Sequence, residues 1–177
     1  MGGGAWEAAA TGLTDRQVVV RTVLRSDLPA VVEIERASFA DPWSHESFAL
    51  SIEPQRMRFL VAAERTAAEL VGSAASGEAR ILGYVVALLL FEEAEIANLA
   101  VAPWARRRGV GGLLLDRMSA DLEDTGVRSL YLDVRESNVD AKALYASRAF
   151  LEVGRRRGYY RHPTEDALLL KRDLAPV

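Results

Sequence analysis

The chain has 177 residues, half of them hydrophobic and 27% charged, an ordinary globular composition with enough length to bury a substantial core. Its 22 Lys and Arg against 25 Asp and Glu give a net charge of −3, which argues against general nucleic-acid binding. There is no cysteine, so disulfides, thiolate metal sites and a cysteine nucleophile are excluded.

The start of the chain has neither a basic n-region nor a long apolar core, which argues against a signal peptide. Residues 1–17 are rich in Gly and Ala without periodicity and read as a flexible tail, followed by one domain over 18–174. Val18 to Leu24 is β-branched and reads as the first strand. Ser26-Asp27 can cap a helix from Leu28 to Ser38, with Pro29 in its first turn and Leu28, Val31, Val32 and Glu35 near one side. Asp41-Pro42-Trp43-Ser44 is a turn, and Ser44 with Ser47 can start a short helix through Ile52. Phe59 to Ala63 is a strand. Between Arg65 and Arg80, Leu70-Val71-Gly72 could extend a hairpin, while Ser73 to Glu78 reads as an enlarged loop. Ile81 to Phe91 and Glu95 to Val101 are strands; the apolar run from Tyr84 to Phe91 is too short to span a bilayer. The helix Gly109 to Glu123 carries a stripe of Val110, Leu113, Leu114, Met118 and Leu122 and stops at Gly126. Ser129 to Val134 is a central strand, and Asn138 can cap a helix over Asp140 to Ser147. Leu151 to Arg157 and Ala167 to Lys171 form a closing antiparallel pair. The order β-α-α-β-β-β-α-β-α-β-β predicts an α/β fold with a mixed sheet.

The first chemically informative stretch runs from Ile96 to Asp124. A strand ends at Val101, a turn follows at Ala102-Pro103, and Arg106, Arg107 and Arg108 precede Gly109-Val110-Gly111-Gly112, which open into a helix. Glycines let backbone N–H groups approach a ligand, the helix dipole favours negative charge, and arginines add donors. A diphosphate is the natural guest. The P-loop and dinucleotide spacings are both unmet. Arg106-x-x-Gly109-x-Gly111 instead resembles the acetyl-CoA signature of the GNAT acetyltransferase superfamily, Gln/Arg-x-x-Gly-x-Gly/Ala.

The second stretch is Leu130-Tyr131-Leu132-Asp133-Val134-Arg135-Glu136-Ser137-Asn138, continuing through Ala141, Leu144 and Tyr145 to Ala149-Phe150. With the cradle, with Pro42-Trp43-Ser44, Asn98-Leu99-Ala100-Val101 and the tail Arg155-Arg156-Arg157-Gly158-Tyr159-Tyr160, it resembles bacterial ribosomal-protein-alanine N-acetyltransferases of the RimI type over Val18 to Asp173. The resemblance implies the GNAT fold, a mixed sheet of about seven strands flanked by about four helices. It implies acetyl-CoA as cosubstrate and no metal. It also implies a protein N-terminus as acceptor, with a small-subunit ribosomal protein as the partner and a cytoplasmic setting. Membrane association is not expected, and the oligomeric state is left open.

Residue by residue, the resemblance assigns Tyr145 as the acid that protonates the departing sulfur, and Asp133 stands where the pattern has its catalytic glutamate. Aspartate is one methylene shorter. Glu95, six before Val101, stands where histone-type members carry theirs and is the alternative base. Asp133 could equally be a structural acid paired with Arg135 or Arg128. Leu99, Ala100 and Val101 are expected on the acetyl-pantetheine arm, with their N–H groups serving the carbonyl oxygen. Arg106 to Gly112 are expected on the diphosphate, and Asn138 on the pantetheine as well as capping its helix. Glu35, Trp43, Tyr159 and Tyr160 are expected to line the acceptor groove. Ala149 stands where the family has glycine; a left-handed alanine costs on the order of 1–2 kcal/mol, so this turn could be rebuilt. Two further readings keep part of this picture: an acceptor that is a lysine or small amine, and a non-catalytic acetyl-CoA-binding module. His45 and His162 have no metal-ligand spacing, and Arg155 to Arg157 read as a solvated basic strand end.

Overall fold

The computed structural model describes residues 16–52, 56–66 and 79–174. Strand β1 (Arg16–Thr22) is followed by helices α1 (Leu28–Ser38) and α2 (His45–Ser51). Then come β2 (Met57–Thr66), β3 (Arg80–Leu90), β4 (Glu93–Val101), α3 (Val110–Glu123), β5 (Ser129–Arg135), α4 (Val139–Ala146), β6 (Leu151–Arg161) and β7 (Thr164–Asp173). The element order is the one read from the sequence.

The strands form one seven-stranded sheet in the order β1-β2-β3-β4-β5-β7-β6. Every neighbouring pair is antiparallel except β4 and β5, which are parallel and joined through α3. Strand β3 is apolar almost throughout and buried on both faces, as a central strand covered by helices must be. Successive strand residues point to opposite faces. Tyr84 reaches Glu35 of α1, whereas a Cβ at the adjacent Gly83 would meet Leu114 of α3 at 3.3 Å. Helices α1 and α3 therefore cover opposite faces. On the α1 side the core holds Phe48 edge-on to Tyr84, with ring centroids 5.3 Å apart. On the other side Leu114, Leu115, Met118 and Leu122 are fully buried.

Helix α1 matches the expected span, and the anticipated face of Leu28, Val31, Val32 and Glu35 is buried. Ser44 caps α2 by accepting the Ser47 N–H. The expected stripe on α3 needs one correction. Leu113 is 46% exposed and Leu115 is buried in its place. At helical spacing Leu113 falls on the far side of Val110 from Leu114 and Met118, while Leu115 falls beside Leu122. Strand β1 begins two residues earlier than expected, within the anticipated tail, and ends at Thr22 rather than Leu24. The rest of that tail, residues 1–15, lies outside the described residues, as do Leu70-Val71-Gly72 and the Ser73 to Glu78 loop. The closing hairpin is longer at both inner ends than its apolar residues suggested.

Two backbone features open the middle of the sheet. Strand β4 carries a bulge: Val86 faces Asn98 and Ala87 faces Ile96, leaving Ala97 unmatched. Strands β4 and β5 pair only from Glu93 with Ser129 to Ile96 with Leu132, although both run on for several residues. They part just where the bulge lies.

Candidate active site

A cleft of about 700 Å³ opens where β4 and β5 separate. Leu99 and Glu95 of β4, Asp133 of β5, Tyr145 of α4, and Glu35 and Trp43 all line it. The Ala102 N–H bonds back to the Leu82 carbonyl at 2.8 Å. Alternation along an antiparallel strand then turns the amides of Ala100 and Asn98 toward β3 and those of Leu99 and Val101 toward the gap. These amides face no partner strand, because β5 has already diverged. The Val101 carbonyl accepts instead from Arg106 Nε at 3.1 Å. Of the three residues expected along this arm, Ala100 thus turns its amide toward β3, Leu99 presents backbone to the cleft it lines, and Val101 turns its amide to the gap without lining that cleft.

At the end of β4 the chain reaches the glycine turn. Gly109 precedes α3 with φ at 80°, a left-handed conformation that glycine adopts without strain. Among the described residues no side chain caps α3, so the first-turn N–H groups of Val110, Gly111 and Gly112 carry the positive end of the helix without a side-chain acceptor there. A Cβ at Gly111 would stand 3.1 Å from the Leu144 side chain of α4, which keeps the two helices close at this end. The three arginines do not behave as a group aimed at one anion. Arg106 also reaches Ser38 Oγ at 3.1 Å, Arg107 pairs with Asp140 at 2.9 Å, and Arg108 pairs with the buried Glu64 at 3.0 Å. Each guanidinium thus already has one partner within the protein, and the first-turn amides of α3 add main-chain donors at the same place.

Asn138 accepts the Ala141 N–H at 3.1 Å and so caps α4, while its amide nitrogen has no hydrogen bond among the described residues. Two helix turns on from Asn138, Tyr145 is 7% exposed and its ring meets Phe150 edge-on with centroids 5.6 Å apart. No hydrogen bond holds its hydroxyl among the described residues. Burial, and secondarily the neighbouring Tyr160 phenol, push Tyr145 up to about 12, so it keeps its proton. Tyr160 is likewise pushed up to about 12, first by burial and then by Asp133.

The turn after α4 is not rebuilt around Ala149. Its φ is 61°, and the Phe150 N–H bonds to the Tyr145 carbonyl at 3.1 Å while the Ala149 N–H bonds to the Ala146 carbonyl at 3.2 Å. This is a Schellman stop with the usual apolar contact, here Tyr145 to Phe150, and alanine accepts the left-handed position.

Asp133 is paired with neither Arg135 nor Arg128. Arg156 Nε of β6 stands 3.2 Å from its carboxylate, and the Arg156 guanidinium lies over the Tyr159 ring at 5.6 Å. Arg135 pairs with Glu165 at 3.2 Å and covers the Tyr160 ring at 4.1 Å. Glu95 lines the same cleft and forms no ion pair among the described residues. Arg155 is held by Glu136 at 2.7 Å and by Asp166 at 3.4 Å, so two of the three consecutive arginines are neutralised within the protein. Arg156 and Tyr84 are site-building residues that no local sequence signal singles out. The first sits in a run that reads as solvated, and the second in an apolar strand.

Glu35 is 1% exposed. Its carboxylate accepts the Trp43 N–H at 2.8 Å, Asn98 Nδ2 at 3.0 Å and the Tyr84 hydroxyl. Trp43 packs on Phe48 with ring centroids 5.4 Å apart, and Tyr159 meets Tyr160 edge-on at 5.1 Å. Among the described residues no group of three His, Cys, Asp or Glu could hold a metal ion, and no helix is long and apolar enough to cross a membrane.

Comparison with known proteins places this geometry. Residues 28–150 match the acetyltransferase (GNAT) family. A ribosomal protein bS18-alanine N-acetyltransferase of Escherichia coli K12 is 34% identical over 149 residues, covering 82% of this chain and 90% of the relative. A putative enzyme of the same name from Bacillus subtilis is 27% identical over 154 residues, covering 87% and 94%. The crystal structure of the E. coli ribosomal-protein-S18-alanine N-acetyltransferase superposes with a TM-score of 0.76 at 29% identity, covering 91% of this chain and 96% of that one.

Proposed function

Because the chain belongs to the GNAT family and is an acetyl-CoA-dependent N-acetyltransferase, we propose that it acetylates the N-terminal α-amine of a protein, the alanine of a small-subunit ribosomal protein, by direct attack in a ternary complex. The observation that carries this reading is the parting of β4 and β5. It leaves the backbone amides of Leu99 and Val101 without a partner strand, beside a cleft lined by Leu99, Tyr145, Asp133 and Glu95. The similarity to relatives named for bS18 alanine supports the acceptor. The reaction would take place in the cytoplasm.

The residues fit acetyl-CoA. The uncapped N–H groups of Val110, Gly111 and Gly112 suit a diphosphate, and the unpaired edge of β4 suits an amide-containing arm. Acetyl-CoA supplies the activated acetyl group. Holding it beside the amine removes much of the entropic barrier, on the order of 7–11 kcal/mol for a well-oriented pair. A free α-amine titrates near ~8, so a carboxylate base of modest strength serves to keep it neutral. Asp133 or Glu95 takes that role; Asp133 would do so from its pair with Arg156, and Glu95 without an ion-pair partner among the described residues. The Leu99 and Val101 amides stabilise charge developing on the carbonyl oxygen. Tyr145, still protonated at neutral pH, donates to the sulfur as the thioester opens. The sequence contains no cysteine, so no cysteine acetyl-enzyme takes part.

The test is acetyl-CoA-dependent mass gain on an Ala-Arg peptide, beside the same peptide with its α-amine blocked. An acetyl on the free peptide alone is expected. Acetylation of a lysine side chain or a small amine in its place would move the assignment to that acceptor class.

A further inference from the structure

Glu35 is the most deeply buried carboxylate among the described residues, and no cation pairs with it there. Burying a carboxylate away from water and from any counter-charge is costly unless hydrogen bonds replace its hydration. Here three neutral donors do so, and each belongs to a different segment. Trp43 lies in the connection between α1 and α2, Tyr84 in β3 and Asn98 in β4. Burial, and then the carboxylate itself, raise the Tyr84 phenol far above its ordinary range, which keeps it a donor.

Asn98 is the first residue past the bulge at Ala97. Its side chain reaches to α1, so the carboxylate holds β4 at the point where that strand leaves β5. The next residue, Leu99, turns its amide into the cleft. The same Glu35 oxygen that receives Asn98 also receives the Trp43 N–H. One buried group therefore fixes both the strand edge on the acetyl side and the loop on the acceptor side. Both oxygens are engaged within the protein, so the side chain has no need of the acceptor to satisfy it.

We propose that Glu35, Tyr84 and Asn98 form a positioning unit that sets the divergence of β4 from β5 and the seat of the Trp43 loop, and so aligns acceptor with thioester. The inference rests on the acetyl-transfer reading of this cleft. Apolar residues of the same shape would fill the space, but only directed hydrogen bonds would tie the bulge to α1 at a fixed distance. A displacement of about 1 Å at the reacting centre can cost roughly 100-fold in rate.

The experiment measures kcat, both KM values, CoA affinity and Tm for Tyr84→Phe and Asn98→Ala in the full-length enzyme. All are compared with wild type on whichever amine wild type acetylates. Ser51→Ala serves as the structural control, because Ser51 is buried and bonds only within α2, to the Ser47 carbonyl at 2.8 Å. Each variant is expected to lose about 10–100-fold in kcat with CoA affinity within about threefold of wild type. The double variant is expected to lose little more than the worse single, since both act through one carboxylate. The control should lower Tm while leaving kcat within about twofold. Variants that lose Tm and keep kcat within about twofold overturn the proposal, as does a loss of CoA affinity that tracks kcat. If Asn98→Ala does not fold, Tyr84→Phe, which removes a single hydroxyl, decides by the same criteria. A wild type that modifies lysine rather than the α-amine overturns the acceptor assignment and leaves these ratios readable.

Discussion

Tyr145 combines two properties that rarely meet in one side chain. Its ring is packed into the protein, yet among the described residues nothing binds its hydroxyl. Tyr145→Phe should therefore leave Tm nearly unchanged while lowering kcat by about 10²–10⁴-fold, the usual worth of a positioned proton donor. Equal turnover in the two proteins would remove Tyr145 from the reaction. The raised phenol gives the sign of the pH effect. A donor is lost only when it deprotonates, and Tyr145 does so near 12, so it contributes no falling limb to kcat below pH ~10. A wild-type profile that declined from pH ~9, and did not in Tyr145→Phe, would contradict this. The two carboxylates are separable in the same way. Glu95→Gln and Asp133→Asn should differ by at least about tenfold in kcat/KM, and the worse of the two identifies the base.

At the scale of elements, the stop after α4 shows what side-chain patterns conceal. Ala149 holds φ at 61° because the Schellman hydrogen bonds and the Tyr145–Phe150 contact enforce it. Ala149→Gly should stabilise the protein by about 1 kcal/mol, read as a higher urea midpoint at unchanged slope. Gly83→Ala should do the reverse. Its Cβ would stand 2.7 Å from the Ala100 carbonyl, and since backbone cannot yield as a side-chain tip can, we expect a loss of about 1–3 kcal/mol. The elements themselves were legible, because hydrophobic period, Ser44 and Asn138 as caps and Gly126 as a stop are local signals. The glycine turn before α3 and the tyrosine of α4 stand out through the spacing of the family resemblance. What could not be read were pairings across the sheet. Whether Asp133 meets Arg135 two residues along its own strand or Arg156 on another depends on strand order and on the irregular register of β6, and neither is written in local sequence. Tyr84 was hidden for the same reason: a buried tyrosine in an apolar strand announces its partner only when α1 is placed over it.

For the molecule as a whole, the joint between β1 and α1 sets a pH dependence of stability. Burial disfavours the Asp27 charge, but Arg21 at 2.7 and 2.9 Å and the Leu24 N–H at 2.7 Å outweigh it, and the carboxyl is held below its ordinary value. A lowered folded value means stability that is present above the unfolded pKa of ~4 and lost as pH falls through the folded one. The urea midpoint of wild type should drop between pH ~5 and ~2 more steeply than that of Asp27→Asn, and equal slopes would count against the assignment.

The uncapped start of α3 also bears on how this protein can diverge. Its three arginines already meet Ser38 and Val101, Asp140 and Glu64, while the first-turn amides of α3 meet no side chain among the described residues. Of the three, Arg108 alone pairs with a buried carboxylate, so Arg108→Ala should lower Tm more than Arg107→Ala, whose partner Asp140 is exposed. A binding site written in backbone survives side-chain replacement. It can pass through long lineages with few of its residues unchanged, so long as the turn keeps its shape.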